Sequence, residues 1–413
     1  MPEFFNVVSP SDAVASLDSH LNRPLSAERI ETTDSLHRVT ANSVVSTEVL
    51  PAFARSSMDG YSVRASDTYG ASESLPALLN VIGDVLTGRQ ASASLGIGEA
   101  AVAYTGGMLA HEADAVVMIE RTLQVDENSI EVTSPVAPGE NVVQVAEDVS
   151  AGDVIVPGGH RIRSQDIGAM LALGITELDV VRKPRVAIIS TGDELITPGG
   201  YPLPGQIRDI NSYTIAARVS ECGGLPLTFD LVADDFEAQL SAANKSLESA
   251  DALIFSAGSS LSSRDMTVEV LNRLGEPGVL VHGISIKPGK PTIVGAAEGK
   301  PLFGLPGNPV SAIVVFDLVV RPILYLMSGL ENPPYWPSIQ AVLSRDIPSV
   351  AGREDHVPVL LHRENGVLCA DPVFGKSNLI FTLVKSDGMM VVPLDDGGRY
   401  AGDEVEIRLH GHP

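Results

Sequence analysis

Apolar and polar positions follow three rhythms along this chain. Residues 9–48 read as largely helical: Ser9 to Leu17 and Ser26 to Leu36 repeat apolar residues at three and four spacing behind a serine start. Pro10, directly after Ser9, suits the first helical position. From about Leu50 to Val149 the pattern changes to short β-rich runs cut by turns, among them Ala77–Ile82, Ala115–Ile119 and Ser129–Val132. That stretch predicts a small β domain inserted into a helical one. Val154–Gly159 closes it, and Gln165 to Leu173 predicts another helix.

The third rhythm begins at Arg185. An apolar strand runs to a polar glycine turn at Gly192. A helix (Ser212–Cys222), a strand (Leu225–Val232), a helix (Phe236–Ser249), a strand (Ala252–Ser256), a helix (Met266–Leu274) and a strand (Val279–Ile286) follow, then an apolar run from Pro309 to Leu326. This alternation predicts a parallel sheet with helices on both faces and ligands beyond the carboxyl ends of its strands. After the proline-rich linker Asn332–Pro337 the chain returns to short β runs, and Pro358 within Val357–Leu361 predicts an edge strand. The expected fold class is multidomain α/β plus β. It has a central doubly wound parallel α/β domain (183–329), an inserted β-rich domain (49–149), a helical, elongated domain (1–48 with 150–182) and a C-terminal β-barrel (330–413).

Composition narrows the partners. The 413 residues are 44% hydrophobic and 19% charged, enough for several buried cores. The net charge is −24, from 28 basic and 52 acidic residues, which argues against nucleic acid and against unaided adsorption to anionic lipid. No apolar run reaches the ~18 residues of a membrane span, so direct insertion is not expected. Met1–Phe5 lacks the basic and apolar regions of a signal peptide. Cys222 and Cys369 are the only cysteines, which suggests a reducing cytoplasm with neither a disulfide framework nor a thiolate metal site. The nine histidines form no HExxH-type pair, so zinc is not expected either.

The candidate chemistry lies in loops. Lys287-Pro288-Gly289-Lys290-Pro291 places two lysines on a segment framed by prolines, and Gly304-Leu305-Pro306-Gly307-Asn308-Pro309 turns into an apolar helix. Lysines beside such a turn favour an oxyanion over merely solvated side chains. Ser190-Thr191-Gly192-Asp193-Glu194 offers hydroxyls and amides to an anion and carboxylates to a metal, although a turn with a helix cap explains Ser190 to Asp193 equally well. The Ser256–Asp265 loop, with Gly258, either cradles a phosphate or is a serine-rich connection whose Asp265 caps the next helix. Asp59 sits beside a glycine turn, and Thr105-Gly106-Gly107 forms another. Carboxylate and hydroxyl ligands suit Mg²⁺. No dinucleotide, P-loop or nucleophile-elbow fingerprint is present.

In this order, Ser57–Tyr61, Thr105–Gly107 with Ala113–Val117, Glu147-Asp148, Ser190–Leu195, Asp234-Asp235, Lys287–Pro291 and Leu305–Ser311 resemble the molybdopterin molybdenumtransferase family, the MoeA proteins and the E domain of gephyrin. The resemblance implies an elongated cytoplasmic homodimer of four-domain subunits. Its active site would lie between the α/β domain of one subunit and the β-rich domain of the other. The implied reaction inserts molybdate into adenylylated molybdopterin (molybdopterin-AMP) with Mg²⁺ and releases AMP. Asp59, Thr105, Asp148, Glu194, Asp234 and Asp265 fall on acidic or hydroxyl active-site positions, with Asp59, Glu194 and Asp265 as catalytic groups and Glu194 and Asp265 as metal ligands. Lys287, Lys290, Pro306 and Pro309 fall on anion-binding and substrate-framing positions, and Ser190, Thr191, Gly192 and Gly258 belong to the loops facing the substrate.

Two stretches depart from the family pattern. Asn141–Asp148 lacks the usual arginine, and Ala257–Ser263 carries Ala257 and Ser262 where glycines are usual. These departures motivate an alternative: a catalytically weakened, gephyrin-like scaffold that binds a tubulin-like cell-division protein of the FtsZ type and a membrane receptor's cytoplasmic segment.

Overall fold

The computed structural model describes residues 7–257, 261–330 and 334–411. Helix α1 (Pro10–Asp18) starts as expected, with Ser9 Oγ accepting from the Asp12 N–H at 3.1 Å and Pro10 in the first turn. Ser26–Leu36 is not a helix. It forms a strand, Ala27–Glu31, and a 3₁₀ turn, Thr32–Asp34. The strand pairs antiparallel with Glu177–Val181, about 150 residues away, and Arg29 Nε meets Glu177 across the pair at 3.0 Å. A distant partner strand outweighed the local helical spacing here. Helix α2 (Ser164–Ala172) packs beneath this small sheet through Met170.

Residues 49–149 form a six-stranded sheet in the order Ala115–Met118, Gly60–Val63, Glu99–Ala103, Ala77–Val85, Ser129–Val132, Thr122–Asp126. Gly60 is sterically required: a Cβ there would lie 2.0 Å from the Val117 carbonyl oxygen of the neighbouring strand.

The α/β sheet comprises β1 (Arg185–Ser190), β2 (Leu225–Thr228), β3 (Ala252–Ala257), β4 (Pro277–His282), β5 (Ile293–Ala297) and β6 (Lys300–Pro306), in the order β2-β1-β3-β6-β5-β4. β1, β2, β3 and β6 are parallel, but β5 runs antiparallel to both neighbours, so the sheet is mixed. The β5–β6 hairpin is absent from the sequence reading. Its two-residue turn, Glu298-Gly299, has φ of 49° and 83° at its two positions and lacks the Asn-Gly signature of such turns. The predicted strand Val279–Ile286 is two pieces, because Gly283 breaks it and Ile286-Lys287 pairs with the barrel instead.

The inward residues of β1 divide between two cores. Val186 and Ile188 face α1, α3 (Asn211–Glu221) and α6 (Pro309–Met327), whereas Ala187 and Ile189 face α4 (Phe236–Leu247) and α5 (Leu261–Arg273). Burial on both faces explains the continuous apolar run of the strand. Helix α5 starts five residues earlier than its apolar pattern predicts, which puts Asp265 in the second turn rather than at the cap. Helix α6 is 19 residues long with mean hydropathy 2.0, long and apolar enough by those measures to cross a membrane. Asp317 and Arg321 interrupt its apolar run, and 72% of it is buried within the fold. It widens to a π turn over Phe316–Val320, just before Pro322, which has no N–H to continue the α-helical ladder.

The C-terminal unit closes as a five-stranded barrel of β7 (Ser338–Leu343), β8 (Glu354–Glu364), β9 (Val367–Pro372), β10 (Gly388–Val392) and β11 (Glu404–Leu409), with β8 joining β10 to β9. Pro358 therefore lies in a strand paired on both sides, not at an edge. It costs no ladder bond, because pairing with β9 begins only at Val359 and the Pro358 carbonyl accepts from the Val373 N–H just beyond.

Candidate functional site

A cavity of about 890 Å³ lies between the α/β sheet and the barrel. Its walls are the proline-framed lysine loop after β4, the turn after β6, and two barrel loops. Two backbone stitches hold these walls together. Ile286-Lys287 pairs in parallel with Glu354-Asp355 of β8. At the other side, Val310 N–H donates to the Ser377 carbonyl at 3.1 Å and Asn308 Nδ2 donates to Ser377 Oγ at 3.0 Å. Gly289 carries φ of 120°, and a Cβ there would lie 2.6 Å from Val315 of α6, so the loop needs glycine at this point.

The charge of this cavity opposes that of the whole chain. Lys287, Lys290, Arg353 and Lys376 line it, against one lining carboxylate, Asp355. Asp355 is almost fully buried and holds Arg353 Nε at 2.8 Å and Lys287 Nζ at 3.6 Å. Among the described lining residues, four cationic side chains meet one carboxylate, a lining whose chemistry suits an anion. Of the residues predicted from sequence, Lys287, Lys290 and Pro306 line it; Pro309 is buried at the first turn of α6 beside it. Arg353, Lys376 and Ser377 were missed. They lie on barrel loops distant in sequence, and no local pattern links them to the lysine loop.

A second group of polar residues occupies the carboxyl end of β1. Ser190 Oγ is committed internally, 2.7 Å from Ser212 Oγ and 3.2 Å from Asp209, which also caps the start of α3. Thr191 is buried and its hydroxyl has no hydrogen-bond partner among the described residues. Gly192 next to it has φ of 150°, and a Cβ there would lie 2.7 Å from Glu194 Oε2. Asp234 lies with Asp193 and Glu194. Burial first, then the negative charges of Asp193 and Glu194, push its carboxyl above the usual range. One Asp234 oxygen is buried without a partner among the described residues. Asp193, Glu194 and Asp234 are near enough to act on one another electrostatically, and carboxylates are the donors that hard divalent cations such as Mg²⁺ prefer. Asp265 is exposed on α5 and is not among the charges acting on Asp234.

Asn211 ties the end of β3 to the turn after β6. Its Nδ2 donates to Ser256 Oγ at 2.8 Å and to the Gly307 carbonyl at 2.9 Å, while its own buried Oδ1 has no partner among the described residues. Asn211 was overlooked although Asp209-Ile210-Asn211-Ser212 has the composition of a helix start. Gly258 lies outside the described residues.

The third group belongs to the inserted β domain. Asp59 Oδ1 accepts from the Thr105 N–H at 2.8 Å and from Thr105 Oγ1 at 3.0 Å, and these bonds hold its carboxyl below the usual range. Ser56 exchanges backbone hydrogen bonds with Gly106 and Gly107, which locks the two turns together. Asp148 is exposed on the adjoining segment, its N–H bound to the Leu50 carbonyl. Asp59, Thr105 and Asp148 do not line the cavity of their own chain.

A mixed α/β sheet joined to a closed barrel, with a cation-lined cavity at their seam, is the multidomain architecture of molybdopterin-biosynthesis proteins. The family models agree: "MoeA N-terminal region (domain I and II)" matches residues 8–174, "Probable molybdopterin binding domain" matches 187–325, and "MoeA C-terminal region (domain IV)" matches 340–409. The chain belongs to the MoeA family. It is 34% identical over 403 residues to a molybdopterin biosynthesis protein of Methanocaldococcus jannaschii, covering 95% of this chain and 94% of that one. It is 32% identical over 404 residues to the molybdopterin molybdenumtransferase of Bacillus subtilis, covering 97% and 94%. The crystal structure of a molybdopterin biosynthesis MoeA protein from Pyrococcus horikoshii superposes with a TM-score of 0.85 at 31% identity, covering 98% of this chain and 100% of that one.

Proposed function

We propose that this protein inserts molybdate into adenylylated molybdopterin and releases AMP, the final assembly step of the molybdenum cofactor. The observation that carries this reading is the four-cation cavity in a chain of net charge −24. Molybdate is a compact dianion, and Lys287, Lys290, Arg353 and Lys376 offset its charge while Asp355 keeps Arg353 and Lys287 in place. The carboxylates of Asp193, Glu194 and Asp234 would hold Mg²⁺, whose chemistry is to neutralise phosphate oxygens as AMP departs. Little covalent work falls to side chains; they bind, orient and neutralise.

Asp59, Thr105 and Asp148 act in this reading from a second copy of the chain, as a homodimer whose β domain faces the partner's α/β sheet. A reducing cytoplasm suits the two free cysteines. The scaffold alternative, with a tubulin-like division protein and a receptor segment as partners, gains no feature of its own among the described residues.

The test is AMP release. Purified protein with adenylylated molybdopterin, molybdate and Mg²⁺ should release AMP in proportion to cofactor formed. Folded protein that releases none would overturn the reading.

A further inference from the structure

We propose that the barrel carries a transition-metal site built from His362, Glu364 and Cys369, with Zn²⁺ as its natural occupant. His362 and Cys369 face each other directly across β8 and β9, and Glu364 lies two residues further along the same face. A ring nitrogen of His362, Cys369 Sγ and a carboxylate oxygen of Glu364 all lie within 4.8 Å of one another. Zinc ligands at bond lengths of about 2.0–2.3 Å are separated by roughly 3.3–3.8 Å. Rotation of the exposed Glu364 side chain and small torsional changes close that gap, leaving a fourth tetrahedral position for water.

The donor set selects the metal. A thiolate, an imidazole and a carboxylate suit Zn²⁺ and its neighbours in the transition series, and disfavour Mg²⁺. Asp371 supports the ring: its Oδ2 lies 3.4 Å from His362 Nδ1, which is shielded from solvent and makes no aligned hydrogen bond among the described residues. Carboxylates in this position commonly orient a metal-bound imidazole through its other nitrogen. Asp371 is itself held by the Ser344 hydroxyl.

The site is separate from the oxyanion cavity. His362 lies seven residues along the extended strand from Asp355, roughly 23 Å at ~3.3 Å per residue. It grips the β8–β9 hairpin next to its Asn365-Gly366 turn, so the metal acts as a clamp on the barrel. The sequence concealed it because its ligands meet only across the hairpin and match no standard zinc spacing.

The test uses the full chain, stripped of metal and kept reduced. Titration with Co²⁺ should give one equivalent of binding with a thiolate-to-cobalt charge-transfer band. Zn²⁺ should displace the cobalt and raise the melting temperature. Cys369→Ser should abolish the band, Cys222→Ser should retain it, and His362→Gln should weaken Zn²⁺ binding at least about tenfold against a chromophoric chelator. Absence of stoichiometric binding, or a band and affinity unchanged in Cys369→Ser and His362→Gln, would overturn the proposal. Glu364→Gln, on an exposed side chain, gives a further variant free of folding concerns; unchanged Zn²⁺ affinity there would remove Glu364 from the site.

Discussion

Asn211 donates from Nδ2 to the Gly307 carbonyl at 2.9 Å, and so ties the start of α3 to the turn that frames the cavity. The same amide holds Ser256 Oγ. Asn211→Ala leaves both acceptors without this donor in a buried setting, which costs about 1–3 kcal/mol for each group left unsatisfied. Denaturant unfolding should show that loss, and molybdate affinity should fall with it. Wild-type stability and affinity in this variant would mean that this tie is dispensable to the cavity.

Lys287 separates binding from stability. Its side chain is 60% exposed, so its ion pair with Asp355 contributes little to folding. Lys287→Ala should shift unfolding by less than ~0.5 kcal/mol while weakening molybdate binding about tenfold or more, as read by titration calorimetry. Unchanged affinity would remove Lys287 from the oxyanion site.

The β5–β6 hairpin and the barrel loops show what could be read from the sequence. β1 and β3 were legible because strands buried on both faces must be apolar throughout, and apolar residues at helical spacing behind the Ser9-Pro10 start announced α1. The lysine loop was legible because its prolines restrict the backbone whatever surrounds it. Ala27–Glu31 was misread because its partner strand lies about 150 residues away, beyond any local period. Arg353 and Lys376 were invisible for the same reason: only tertiary folding brings the barrel against the turn after β6. Asn365-Gly366, a strong local hairpin signal, went unused.

Asp234 gives the apo protein a pH dependence. Its folded carboxyl titrates above the unfolded value, so the stabilising contribution is complete below the unfolded pKa and is lost as pH rises through the folded pKa. At neutral pH the charged group opposes folding because Asp193 and Glu194 face it. Asp234→Asn should therefore raise the melting temperature of metal-free protein at pH 7 and diminish the further rise caused by Mg²⁺. A lower melting temperature, or an undiminished Mg²⁺ effect, would contradict this assignment.

Asp59 titrates in the other direction. The Thr105 N–H and hydroxyl favour its charged form, so the associated stability is present above the unfolded pKa and is lost as pH falls through the depressed folded pKa. Thr105→Ala removes one of the two bonds. Carbon-detected NMR titration should show the Asp59 pKa rising towards the ordinary value; an unmoved pKa would show that the hydroxyl does not hold it.

Gly289→Ala tests the shape of the lysine loop. The new methyl group meets Val315 and Ile286 at a backbone angle that disfavours side chains, which costs on the order of 1–3 kcal/mol. Thermal unfolding should fall by several degrees, with weaker molybdate binding. A fully stable variant would show that the loop can adopt another path.

Anomalous scattering at the molybdenum edge tests the central claim most directly, in crystals soaked with molybdate. The predicted result is a peak in the cavity between the α/β sheet and the barrel, within reach of Lys287, Lys290, Arg353 and Lys376, and absent from an Arg353→Ala variant. A molybdenum peak only outside that cavity, or one in the cavity unaffected by the loss of Arg353, would contradict it.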